Sequence, residues 1–289
     1  MNLQWFPGHM AKTRRMISEN LKLVDVVVEL LDARLPLSSR NPEIDKLAGV
    51  RPRILVLNKA DMADSAATQA WLCWFADQGY TAIAVDSQSG KGFSALGPAV
   101  EQVMREKLER DRAKGIQRHS IKLMVVGIPN VGKSSFINRL AGRSAARTGD
   151  RPGVTTAKQW IRIAGKYDLL DTPGILWPKF EDPDAAKRIA FTGGIKDEIM
   201  DVEELACELL TYLAARYPGA LCGRYKLDDT ALALEPFELL EQIGRKRGCV
   251  VSGGNIDTFR AASLVLDDFR GARIGAITLE RSGGQSDLR

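Results

Sequence analysis

Five short apolar runs punctuate the first 180 residues, separated by polar and amphipathic stretches. They are DVVVELLDA (25–33), RILVLNK (53–59), TAIAVDS (81–87), IKLMVVG (121–127) and KYDLLDTPG (166–174). Their apolar stretches are nearly continuous in Val, Ile and Leu, and turn residues bound them. Strands of that kind are buried on both faces, as in a parallel sheet covered by crossover helices. WIRIAG (160–165) offers an antiparallel edge strand. Met10, Ile17, Leu21 and Val24 share one side of a helix predicted over 10–24. The charged stretch REKLERDRAKGIQRH (105–119) reads as a solvated helix end and a linker between two blocks of one sheet.

After about residue 180 the period changes from strand to helix. Val202, Leu205, Ala206, Leu209, Leu210 and Leu213 recur at helical spacing behind Asp201 as N-cap. Pro236 to Ile243 predicts a second helix. A third begins with Asn255 as its cap and carries Ile256, Phe259, Ala262, Leu266 and Phe269 on one face. The expected architecture is α/β. A mostly parallel sheet with helices on both faces occupies 1–180, a smaller mainly helical domain 181–280, and a disordered tail 281–289.

Composition sharpens this picture little, but charge adds to it. The chain is 45% hydrophobic and 27% charged, as for a globular protein with a substantial core. VVVELL (26–31) is far too short to cross a membrane, and the N-terminus lacks an apolar signal core, so a cytoplasmic protein is expected. Four scattered cysteines and two histidines argue against a zinc site. Residues 1–180 carry 27 basic and 17 acidic side chains, whereas 181–289 carry 14 and 19. The positive half suggests an anionic partner such as nucleic acid, or simply solubilising charge.

The chemistry lies at the ends of the apolar runs. GIPNVGKS (127–134) matches Gly-x-x-x-x-Gly-Lys-Ser between a strand and a helix. Glycines there let backbone N–H groups converge on phosphate oxygens, and the helix N-terminus adds positive potential. Asn130, Val131, Gly132, Lys133, Ser134 and Ser135 are therefore candidate nucleotide contacts. Lys133 is expected on the β- and γ-phosphates, and the Ser134 hydroxyl on Mg²⁺. Asp171 of DTPG would hold the same ion through water, and the Gly174 amide would meet the γ-phosphate. Thr155 of RPGVTT, with Thr156 the second choice, would close on both.

NKAD (58–61) would select the base. Asp61 can accept from guanine N1–H and the 2-amino group, which adenine cannot match, while Asn58, Lys59 and Ala60 frame the ring. Asp86 and Ser87, in DSQSGKG, would close over it. Yet Asn58 precedes Gly127 by 69 residues, the reverse of the common order. A parallel sheet holds its ligand at the carboxyl ends of the strands, whichever strand comes first. Joining old termini and cutting elsewhere preserves such a site. The order therefore predicts a circularly permuted GTPase.

WFPGHMAK (5–12), DARLPLSSRNP (32–42), the early NKAD, GIPNVGKSSFINRL (127–140), GDRPGVTT (149–156) and LLDTPGILWPKF (170–180) together resemble the ribosome biogenesis GTPase A family, also called YlqF. The resemblance implies a cytoplasmic GTPase acting in late assembly of the large (50S) ribosomal subunit, with a C-terminal helical domain on rRNA; a monomer is expected. The alternative is a non-ribosomal GTPase that switches a protein partner. Ile175 stands where Ras-like proteins carry a water-orienting glutamine, so slow intrinsic hydrolysis is expected, stimulated by the ribosomal particle. The resemblance supplies His9 as one candidate to orient water; the same histidine could instead sit beside an anchor of Trp5, Phe6 and Pro7, or beside an RNA contact. Asn130 is shared with GTPases that place K⁺ against the phosphates.

Overall fold

The apolar runs become strands of one six-stranded sheet. β1 (Val26–Asp32), β2 (Arg53–Asn58), β3 (Thr81–Ala84), β4 (Ile121–Gly127), β5 (Gln159–Ile163) and β6 (Tyr167–Asp171) lie in the order β3-β2-β1-β4-β6-β5. Every neighbouring pair is parallel except β5 against β6, so WIRIAG does supply the antiparallel edge. The computed structural model describes residues 15–116, 120–142, 159–163, 165–171 and 183–283, without the side chains of Gln159 and Asp171.

Alternate positions of each inner strand feed opposite cores, which is why the runs are apolar throughout. Val26, Val28 and Leu30 of β1 face one way, with Val56 of β2 and Val125 of β4. Helices α4 (Leu96–Ala113) and α5 (Lys133–Ala141) cover that face through Val100, Met104, Phe136 and Ile137. On the other face Val27, Met124 and Val126 pack under α1 (residues 15–21) and α2 (Pro42–Ala48). Leu31, Leu55 and Leu57 pack there under Trp71 and Phe75 of α3 (Ser65–Asp77). β3 ends three residues before the run TAIAVDS does. The Asp86 carboxylate accepts from the amides of Gln88 (2.7 Å) and Ser89 (3.2 Å), turning the chain off the sheet.

The second half is helical: α6 (Pro183–Phe191), α7 (Val202–Arg216), α8 (Pro218–Tyr225), α9 (Pro236–Lys246) and α10 (Thr258–Arg270). Asp201 caps α7, accepting from the amides of Glu203 and Glu204. The expected start of α10 is corrected. Its cap is Asp257, whose carboxylate accepts from Arg260 N at 3.0 Å. Asn255 and Ile256 belong instead to a small antiparallel turn, with Val250 bridged to Ile256 and Val251 N donating to Asn255 O. Phe259 is 61% exposed rather than core, because it lies in the first turn, ahead of the buried face formed by Ala261, Ala262, Val265, Leu266 and Phe269.

The apolar cluster on the α4/α5 face continues through Ile189 and Phe191 of α6 into α7, α9 and α10. After α10 the chain returns to the first half. Ile277 N donates to Met62 O, Leu279 N to Arg34 O, and the Trp71 indole to Glu280 O. No helix among the described residues is long and apolar enough to cross a membrane.

Candidate functional site

The strand order places the site. From β1 the chain builds outward through β2 to β3, then crosses back to lay β4 on the other side of β1. Loops leaving the carboxyl ends of β1 and β4 therefore diverge and open a crevice, where sheets of this kind hold their ligands. DAR (32–34), NKAD (58–61), DSQSGKG (86–92) and GIPNVGKS (127–134) all lie at this end of the sheet.

β4 ends at Gly127, whose neighbour on β1 is Leu30. The loop that follows turns through left-handed backbone at Asn130 (φ 59°) and Gly132 (φ 92°), then enters α5 at Lys133. The first amides of α5 have no intrahelical partner and give this end a positive potential suited to a polyanion. Lys133 is buried, and its Nζ donates to the carbonyls of Gly127 (3.2 Å) and Ile128 (2.9 Å), inside the curve of the loop. Ser134 and Ser135 stand half-buried in the first turn of α5.

NKAD, distant in sequence, touches this loop directly. Asn58 is the last residue of β2 and is buried; its Nδ2 donates to Val131 O at 2.8 Å. Its Oδ1 accepts from Ser87 Oγ at 2.7 Å. Lys59 lies in the left-handed region (φ 59°), and its Nζ donates to Asn130 O at 2.6 Å. Ala60 N donates to Val85 O at 3.1 Å, joining the loops after β2 and β3. Arg139 of α5 reaches across to Ser87 O at 3.2 Å. Gly132 is required twice over: for its positive φ, and because a Cβ there would overlap Asn58 Nδ2.

Electrostatics separates the two carboxylates beside these contacts. Partial burial and then the neighbouring Asp86 carboxylate push the exposed Asp61 above its ordinary value. Burial also pushes Asp86 upward, but hydrogen bonds from Ser89 and Gln88 outweigh it and the net shift is downward.

Two connections have no counterpart in the sequence reading. Asp32 and Arg34, present only as part of DARLPLSSRNP, form a buried bidentate pair at 2.9 and 2.8 Å. Asp32 also meets Lys59 Nζ at 3.2 Å. Burial alone would raise its carboxyl, but Arg34 and Lys59 hold it far below the usual carboxylate range. The signal was the pairing of Asp32 with Asn58 across β1 and β2, which only the register reveals. The second is Asn130, whose Nδ2 donates to Gly193 O at 2.6 Å, joining the phosphate-type loop to the turn after α6. His9, Thr155, Thr156, Gly174 and the Asp171 side chain lie outside the described residues; the Asp171 backbone ends β6 opposite Val125.

Comparisons with known proteins find GTPases associated with the ribosome. A family described as 50S ribosome-binding GTPase matches residues 122–221, a span that begins at β4 and leaves NKAD outside. The chain is 49% identical to ribosome biogenesis GTPase A of Bacillus cereus, over 97% of this chain and 94% of that protein. It is 32% identical to mitochondrial ribosome-associated GTPase 1 of Mus musculus, over 96% and 90% of the two chains. Among solved structures, GDP-bound TM YlqF superposes with a TM-score of 0.66 at 26% identity, covering 92% of this chain and 99% of that one.

Proposed function

The chain belongs to the ribosome biogenesis GTPase A family, and on that premise we propose that it acts late in maturation of the large ribosomal subunit. It is a GTPase, converting GTP and water to GDP and phosphate. In this reading it docks on the rRNA of the 50S precursor with GTP bound and leaves after hydrolysis that the particle stimulates. It works in the cytoplasm as a monomer.

One observation carries the assignment of the site. The side chains of Asn58 and Lys59 donate to the carbonyls of Val131 and Asn130, so the base-reading and phosphate-reading loops form one surface despite their reversed order. Lys133 and the amides of Gly132 to Ser135 take the phosphates. Asn58 and Asp61 take the guanine edge, with Ala60, Asp86 and Ser87 around it. Ser134, with Thr155 and Asp171, would hold Mg²⁺. When bound, the ion would supply positive charge that offsets negative charge developing on the phosphates. Ile175 stands where a water-orienting glutamine would be, so when the particle binds either His9 orients the water or K⁺ held by Asn130 would supply a fixed positive charge. An activating partner of this type adds roughly 10³–10⁵ in rate.

The test is co-sedimentation with ribosomal particles, with GDP and with a non-hydrolysable GTP analogue, paired with GTP turnover in K⁺ buffer with and without large subunits. Binding that prefers the GTP analogue, and turnover that rises with subunits, supports the reading. Absence of both, with Lys133→Ala still abolishing turnover, would point instead to a regulatory GTPase with a protein partner.

A further inference from the structure

The base-reading loop is held from the far end of the chain. Asp61 is followed closely by two backbone groups that the sheet does not satisfy. Met62 O accepts from Ile277 N at 3.0 Å, and Asp64 N donates to Thr278 Oγ1 at 3.1 Å. The Asp64 side chain caps α3 by accepting from Ala66 N and Ala67 N, but the cap's own N–H has no helical acceptor. The segment Ile277–Glu280 supplies those partners, and all four residues are buried.

That segment is itself fixed. Tyr217 Oη accepts from Thr278 N (3.1 Å) and donates to Thr278 O (3.0 Å), and Tyr212 Oη donates to the same carbonyl at 2.9 Å. Leu279 N donates to Arg34 O at 2.7 Å, and Arg34 orients the Asp32 carboxylate that pairs with Lys59. The Glu280 carboxylate accepts from Leu37 N (2.6 Å) and Ser38 N (2.9 Å), with Ser38 Oγ as a further donor. The strap thus meets the loop after β1 and the loop after β2 together, at Arg34, Leu37 and Ser38 in the one and at Met62 and Asp64 in the other.

We propose that the C-terminal strap Ile277–Glu280 sets guanine specificity, with Thr278 as a positioning residue that holds the Asp61 loop in register with the base. The inference rests on the base-reading role given to Asp61 above. A side chain that must accept two hydrogen bonds from one face of a purine tolerates little displacement, because each bond weakens steeply with angle. The backbone of loop residues 59–64 is tied to Val85, just past β3, through Ala60 N, and to the strap through Met62 O and Asp64 N. Losing the strap therefore frees the carboxylate, whereas the phosphate-type loop stays held by β4, by α5 and by its contacts with Asn58 and Lys59, which precede Asp61.

The test uses the full chain and titrates GTP, ITP and inorganic tripolyphosphate by calorimetry. ITP lacks the 2-amino group, so the GTP-over-ITP preference reports the second Asp61 hydrogen bond, and tripolyphosphate reports the phosphate loop alone. Thr278→Val keeps the shape and removes the acceptor for Asp64 N–H. It is expected to weaken GTP about tenfold and to narrow the GTP-over-ITP preference about threefold, the scale of one hydrogen bond misplaced. Tripolyphosphate affinity stays unchanged, and Thr278→Ser restores the preference. An equal loss for all three ligands, or no loss, overturns the proposal. If Thr278→Val does not fold, Tyr217→Phe loosens the same strap from its other side and is read by the same ratio. Asp61→Ala must by itself abolish the preference; if it does not, the base-reading role fails, whatever the strap variants show.

Discussion

A methyl group at Gly132 would strike Asn58, and that contact shows how much of the site depends on single atoms. The glycine was legible in the sequence as part of a phosphate loop, and Asn58 as part of NKAD. Their juxtaposition was not, because it needs β2 and β4 placed on either side of β1. The Asp32–Arg34 pair was hidden for the same reason: its target, Lys59, is a neighbour only through the register of β1 and β2. Gly132→Ala puts an L-residue at φ 92° and displaces Asn58 from Val131 O. Left-handed backbone costs about 1–2 kcal/mol and the displaced hydrogen bond about 1 more, so a loss of roughly 2–3 kcal/mol is expected. Urea denaturation measures it, and calorimetric titration should show GTP affinity reduced tenfold or more. Wild-type stability in the variant would mean that Asn58 and the loop do not meet as described.

At the scale of elements, the strands were easier to read than the helix ends. Five apolar runs became five strands because a strand buried on both faces leaves an uninterrupted apolar signature. The antiparallel edge was equally clear, since Trp160 and Arg162 alternate with the buried Ile161 and Ile163. The start of α10 misled because Asn255 and Asp257 are both good caps, two residues apart. The choice went to Asp257 because Asn255 is held in the turn that bridges Val250 to Ile256. That correction separates two variants. Asp257→Ala removes the acceptor for Arg260 N and is expected to cost about 1 kcal/mol. Asn255→Ala, at an exposed position, should stay within about 0.5 kcal/mol of wild type. Thermal melts of both, measured side by side, decide it; an equal or larger loss in the asparagine variant would restore the earlier start of the helix.

For the whole molecule, the sequence suggested two blocks, a sheet domain over 1–180 and a smaller helical domain over 181–280. The described contacts tie those blocks together. One apolar cluster runs from the sheet face under α4 and α5 into α7, α9 and α10 without interruption. Asn130 meets Gly193, and Arg34 Nη1 reaches the carbonyls of Phe269 and Arg270 at the end of α10, where a cation is favoured. The buried Glu280 carboxylate lies among backbone donors of the loop after β1, with Arg188 of α6 at 3.6 Å. Separating the halves would leave that charge and several backbone groups without partners, a cost of several kcal/mol. None of this was readable from periodicity, because every tie joins residues far apart in sequence. The halves should therefore unfold together. Calorimetry is expected to show one transition for the full chain, and GDP at a hundred times its Kd should stabilise that whole transition by about 2.7 kcal/mol. Two resolved transitions, with nucleotide moving only one, would show instead that the helical half folds independently of the nucleotide site.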